Sequence, residues 1–234
     1  MYPLKIANLS KSFKNQVVLD DITFEVSKGE IFGLIGLNGV GKTTLIKIIL
    51  DLLKTDMGQV FLDDEVNTRV KSRRHMRYLP EKFQPSSALK GMEFLKIFNQ
   101  DAKENEIYKI CDLLSLDQKA LTRRVSKYSK GMMQKLGLIS TFLGDSKIII
   151  LDEPMSGLDP KARVSLKELF LSSKEKGKAI FFSSHILSDI DEICDRIGIL
   201  NGGKISYLGT PKEFKELYKE ESLEKAFLKE INKQ

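Results

Sequence analysis

Apolar and polar positions along this chain follow two rhythms. Residues 19–26, LDDITFEV, place Leu19, Ile22, Phe24 and Val26 in a broken two-residue alternation, and SKGE follows as a turn, so strands are predicted around it. IFGLI at 31–35 is continuously apolar and β-rich, the pattern of a strand covered on both faces. It runs into glycines and then into TTLIKIILDLL, which reads as a helix. KIIIL at 147–151 and AIFF at 179–182 repeat the buried-strand pattern, with helices predicted at about 160–174 and 186–195. Strands that alternate with helices predict a mostly parallel α/β sheet.

Between about 84 and 143 the rhythm becomes helical. MEFLKIF and EIYKICDLL carry apolar residues at helical spacing, with Ile107, Ile110, Cys111 and Leu114 on one face, and no strand is predicted there. The expected organisation is therefore an α/β core formed by 1–83 and 144–210, interrupted by a helical insert at 84–143. Near the end, the Asn-Gly-Gly of ILNGGKISYL signals a hairpin. A helical tail at 211–234 is then predicted from KEFKELYKEESLEKAFLKEI, as one or two charged amphipathic helices.

Composition narrows the class. The 234 residues are 41% hydrophobic and 30% charged, a globular profile with enough chain for a sizeable core. No apolar run approaches the roughly 18 residues that cross a bilayer, and MYPLKIANLSKSF has no signal-like apolar block, so a cytosolic protein is expected. Cys111 and Cys194 stand alone on predicted helical stripes, which suits buried core better than a metal site. A net charge of +6 permits an anionic partner without requiring one. The densest basic run, RVKSRRHMR at 69–77, lacks interleaved aromatics and reads as a solvated face, with His75 given no special role.

The chemistry begins at GLNGVGKTT, residues 36–44, which satisfies G-x-x-x-x-G-K-[ST] between a predicted strand and a predicted helix. Gly36, Asn38, Gly39, Val40 and Gly41 form a loop whose backbone N–H groups can surround a phosphate, aided by the helix amino end. Lys42 can reach the β- and γ-phosphate oxygens, the Thr43 hydroxyl can ligate Mg²⁺, and Thr44 continues the motif. KIIILDEP supplies the matching acids: a buried strand that ends in Asp152 and Glu153. Asp152 is placed to hold Mg²⁺, and Glu153 to polarise the attacking water. A second phosphate-binding element stands at KYSKGMMQKL, 127–136, where Ser129 and Gly131 open an apolar-striped helix.

With these elements in this order, the chain resembles the ATP-binding subunit of ABC transporters over essentially its whole length. The resemblance implies a P-loop ATPase fold: a mostly parallel sheet with an amino-terminal antiparallel β part and an inserted helical subdomain. The family signature, usually Leu-Ser-Gly-Gly-Gln, reads here as Tyr128, Ser129, Lys130, Gly131 and Met132. Lys130 and Met132 depart from it. SGLD at 156–159 resembles the family's D-loop, with Asp159 implied at a dimer interface, and SSHIL at 183–187 resembles the switch region, with His185 implied at the γ-phosphate. Phe13 resembles the aromatic that stacks on adenine. Glu81, in YLPEKF, stands where a Gln is common, and remains an oxygen donor for the metal.

The resemblance further implies that Ser129, Lys130, Gly131 and Met132 cap ATP bound by a second subunit, so that a pair of chains, most simply a homodimer, sandwiches two Mg-ATP. A separate transmembrane permease is the implied partner, which places the chain peripherally on the inner face of the cell membrane, and export is favoured over import by the run from 181 to 200 and the ending SLEKAFLKE. The alternative is an ABC ATPase without a transport role, acting on nucleic acid or in cofactor assembly; no nucleic-acid partner is expected under the first reading.

Overall fold

The computed structural model describes residues 2–14 and 16–233. In chain order these form β1 (Leu4–Phe13), β2 (Gln16–Val26), β3 (Ile31–Ile35), α1 (Lys42–Ile49), β4 (Met57–Leu62), β5 (Glu65–Val66) and β6 (Met76–Leu79). Three helices follow: α2 (Gly91–Phe98), α3 (Glu104–Leu113) and α4 (Lys130–Phe142). The chain continues through β7 (Ile148–Asp152), α5 (Pro160–Glu175), β8 (Ala179–Ser184), α6 (Leu187–Ile193), β9 (Arg196–Asn201), β10 (Lys204–Gly209), α7 (Pro211–Tyr218) and α8 (Leu223–Ile231).

The strands make two sheets: an antiparallel one ordered β2-β1-β4-β5, and a six-stranded one ordered β10-β9-β3-β8-β7-β6. In the larger sheet β9, β3, β8, β7 and β6 pair in parallel, and only the β10 edge is antiparallel. This is the expected P-loop architecture with its amino-terminal antiparallel part. The continuously apolar strands are central because both of their faces are covered. On β7, Ile149 and Leu151 join the core under α2 to α8, while Ile148 and Ile150 join the core shared with α1 and the antiparallel sheet. Phe24, Phe32 and Phe181 stack with centroids 5.0 to 5.9 Å apart and tie the two sheets together.

Several expectations are corrected. The helix read through TTLIKIILDLL stops at Ile49. Asn67 Nδ2 donates to the Ile48 and Ile49 carbonyls at 2.6 and 3.2 Å, Asp51 takes φ 58°, and Leu52 is left exposed. The basic run 69–77 is largely solvated, with Arg69, Lys71, Arg74 and His75 exposed, but it is anchored in places. Val70–Arg73 is a 3₁₀ turn with Ser72 buried, Arg73 pairs with Asp51 at 2.8 Å, and Met76 and Arg77 open β6. Cys194 lies just past the end of α6 rather than on its stripe, and its sulfur is packed against Gly33. Cys111 is fully buried on α3 beside Ile107.

Within 84–143 the described residues hold α2, α3 and α4, short 3₁₀ turns and one isolated bridge between Lys90 and Arg124. Phe94, Leu136 and Ile139 from these helices share one core with Leu79 and Leu151 of the sheet. The tail is two helices, joined by a left-handed Lys219 and clasped to α6 by Lys215, which pairs with Asp191 at 2.8 Å. Among the described residues, no helix is long and apolar enough to cross a membrane.

Candidate active site

The site forms where β3 ends and α1 begins. Gly36 leaves no room for a side chain, since an added Cβ would lie 2.7 Å from Val40 Cγ1 and 2.8 Å from the Leu200 carbonyl. Gly41, the residue before α1, takes φ 118°, a conformation that β-carbon sterics deny to most residues. The loop can therefore turn tightly enough for the unpaired N–H groups of α1 to face the cleft, where the helix dipole favours an anion. Lys42 is buried, and its Nζ donates to the carbonyls of Gly36 at 2.7 Å and Leu37 at 3.2 Å. Burial lowers its pKa, opposed by the charges of Glu153, Asp152 and Glu81.

Strand order brings the acids opposite this loop. β8 lies between β3 and β7, and Asp152 stands in register with Ser183. Ser183 Oγ donates to Asp152 Oδ1 at 2.5 Å, and the Thr43 hydroxyl donates to Asp152 Oδ2 at 3.1 Å. Glu153 takes φ 50°, and its N–H donates to Ser183 Oγ at 3.1 Å and to the Ser183 carbonyl at 3.2 Å. Its Oε2 stands 2.7 Å from His185 Nδ1, whose ring is half exposed while Glu153 is buried. The backbone N–H of His185 also donates to that oxygen at 3.4 Å.

These groups line one cleft of about 360 Å³. It gathers Asn38, Gly39, Gly41, Lys42, Thr43 and Thr44 from the loop and α1, with Glu81, Asp152, Glu153 and His185 opposite. Gly36 and Val40 support the loop from behind. Phe13 lies elsewhere, exposed at the end of β1 with Lys11 Nζ 5.4 Å from its ring centroid. Ser129 caps α4, its Oγ accepting from Met132 N at 3.2 Å; Lys130, Gly131 and Met132 form the first turn, and none of the four lines the cleft. Asp159 caps α5, accepting from Ala162 N at 2.9 Å, and this bond holds its carboxyl below the usual range.

The donor set suits a hard cation carried by phosphates. Thr43, Asp152 and Glu81 offer oxygens, yet among the described residues no three acidic, His or Cys side chains are grouped to hold a metal by themselves. Mg²⁺ asks for little more, since substrate phosphates and water commonly complete its octahedron. Ser183 and Ser156 were not singled out from the sequence. Ser156 lines the cleft, and Ser183 orients both acids. The available signals were a serine that follows four buried apolar residues two positions before His185, and, for Ser156, its place at the head of SGLD.

A parallel sheet with a phosphate loop at its strand ends and paired acids on the neighbouring strand defines a P-loop nucleotide-binding protein. Residues 19–156 match the family model described as ABC transporter, and the chain belongs to that family. An uncharacterized ABC transporter ATP-binding protein of Synechocystis is 40% identical over 83% of this chain, which spans 57% of that protein's length. The lantibiotic transport ATP-binding protein SrtF of Streptococcus pyogenes is 34% identical over 86% of this chain and 88% of its own. The Nod factor export ATP-binding protein I of Bradyrhizobium is 30% identical over 86% of this chain and 68% of its own. A solved ATP binding subunit of an ABC transporter superimposes with a TM-score of 0.90 at 32% identity, covering 98% of this chain and 99% of that one.

Proposed function

We propose that this chain hydrolyses ATP as the motor subunit of a transporter, pairing around two Mg-ATP and driving a separate transmembrane permease in the export direction. The observation that carries this reading is the convergence of Lys42, Thr43, Asp152, Glu153 and His185 on one cleft at the ends of parallel strands. The loop N–H groups and the start of α1 surround the β-phosphate, and the Lys42 ammonium exchanges its carbonyl partners for phosphate oxygens. Mg²⁺, held by Thr43 and Asp152 with Glu81 beside them, would neutralise charge on the phosphates. Glu153 is the general base: it takes a proton from the water that attacks the γ-phosphorus, and ADP leaves. His185 orients that carboxylate through the 2.7 Å contact, and it is assigned to the γ-phosphate.

Ser129, Lys130, Gly131 and Met132 lie outside the cleft, so they are assigned to ATP held by a second subunit, with Asp159 at the interface between the two. The exposed ring of Phe13 is assigned to adenine stacking. Transport is supported by the relative named for lantibiotic transport and its export direction by the relative named for Nod factor export; the membrane's inner face is the working location proposed with them. Glu153→Gln removes the base while keeping the shape of the site. In solution this variant should be a monomer without nucleotide and a dimer with Mg-ATP, with hydrolysis lost. A variant that stays monomeric with bound Mg-ATP would reject the paired arrangement, and one that still hydrolyses would reject the role of Glu153.

A further inference from the structure

We infer that Gln134 is a positioning residue for Glu153, and that it ties the amino end of α4 to the loop carrying that carboxylate; the inference rests on the ATPase reading above. Gln134 stands on the second turn of α4 and is only 6% exposed. Its Nε2 donates at 3.1 Å to the carbonyl of Pro154, the residue that directly follows Glu153. Glu153 itself occupies the left-handed region at φ 50°, a conformation that a non-glycine residue keeps only when its surroundings enforce it. Ser183 grips the N–H of Glu153 from β8. Gln134, on α4, grips the carbonyl of the following residue, Pro154. The backbone that aims the Glu153 carboxylate is therefore held at both ends, once from the sheet and once from α4.

Three further contacts run the same way. Lys135 Nζ lies 3.5 Å from Asp159 Oδ2. The stem of Lys130 passes over Gly157, where an added Cβ would meet its Cε at 3.4 Å, and Gly131 closes on the Gly157 carbonyl, 3.5 Å from its own added Cβ. Residues 130–135 are thus laid along residues 154–159, with the buried Gln134 bond nearest the catalytic acid. A displacement of the amino end of α4 moves that loop with it. In the paired arrangement this end of α4 meets the partner's ATP while Glu153 serves its own, so Gln134 links the two hydrolysis sites within one subunit.

Gln134→Met keeps the length of the side chain and removes the donor. ATP turnover, affinity for a fluorescent ATP analogue, the Hill coefficient for ATP and the melting temperature are measured on the whole chain. The expected result is a kcat lower by about tenfold, analogue affinity within about twofold, and a Hill coefficient reduced toward unity. Lys135→Met, farther from Glu153, should lower the Hill coefficient with a smaller change in kcat. A kcat within about twofold of wild type would overturn the inference. So would a joint fall in kcat, affinity and melting temperature, because Gln134 would then serve packing alone. A wild-type chain that binds ATP without turning it over overturns instead the ATPase reading on which the inference stands.

Discussion

Ser183→Ala tests how the two acids are held. Ser183 is fully buried, and its hydroxyl donates to Asp152 Oδ1 at 2.5 Å while accepting from Glu153 N at 3.1 Å. The Glu153 amide also reaches the Ser183 carbonyl at 3.2 Å, so the substitution strands the carboxylate oxygen rather than the amide. Asp152 keeps its bond from Thr43 on the other oxygen. A hydrogen bond to a charged group contributes about 1.5–3 kcal/mol, and the void left by one oxygen is small, so a loss of about 2 kcal/mol is expected. For a chain of this size that corresponds to a melting temperature lower by about 4–8 °C. Urea denaturation should show a lower midpoint at unchanged slope. A double-mutant cycle with Asp152→Asn should return a coupling of at least about 1 kcal/mol, because the two side chains touch. Turnover should fall as well, since the residue that fixes Asp152 also fixes the backbone of Glu153. A stability loss below about 0.5 kcal/mol, with no coupling in the cycle, would refute the assignment of Ser183 as the anchor of Asp152.

Gly137→Ala should destabilise the contact between α4 and the sheet, because the new Cβ would lie 2.6 Å from Leu79 Cδ1 and 2.9 Å from Phe83 Cδ1. Overpacking of this kind costs about 1–3 kcal/mol and the gain in helix propensity offsets up to about 1, so a net loss of about 1–2 kcal/mol should appear in chemical denaturation; a stabilised variant would contradict the packing. Burial pushes the Cys111 thiol up to about 12, so it should resist iodoacetamide at pH 8 in the native protein and react once urea unfolds it. The folded value lies above the unfolded one, so the stability linked to this thiol is complete below the ordinary thiol range and is lost as pH rises toward about 12; rapid native alkylation would contradict its burial. Glu81 adds a third carboxylate to the cleft of Asp152 and Glu153, and its repulsion of the ATP phosphates must be screened by Mg²⁺. Where this repulsion outweighs its attraction for the cation, Glu81→Gln should lower the Mg²⁺ concentration for half-maximal turnover by a few-fold. An unchanged Mg²⁺ curve would reject a role for its charge.

The phosphate loop was legible in the sequence because its chemistry is contiguous: a strand, a run of glycines and a helix start bring Gly36 to Thr44 together with no help from distant chain. The acids were legible for a similar reason, since four consecutive apolar β-formers place Asp152 and Glu153 at a strand end. β1 was harder to read as a strand because its pairing with β2 shifts register three times, which breaks the two-residue alternation. The ends of α1 and the fate of the basic run depended on Asn67 and Asp51, side chains whose partners lie 18 to 22 residues away. Only tertiary structure could decide what holds Glu153. Ser183 reaches it because β8 is inserted between β3 and β7, and Gln134 reaches the following residue, Pro154, because α4 packs across residues 154–159. Local pattern fixes which residue types stand at strand and helix ends. Which of them meet is set by the order in which strands separated by whole helices come to lie side by side, and that order minimises exposed apolar surface over the entire chain.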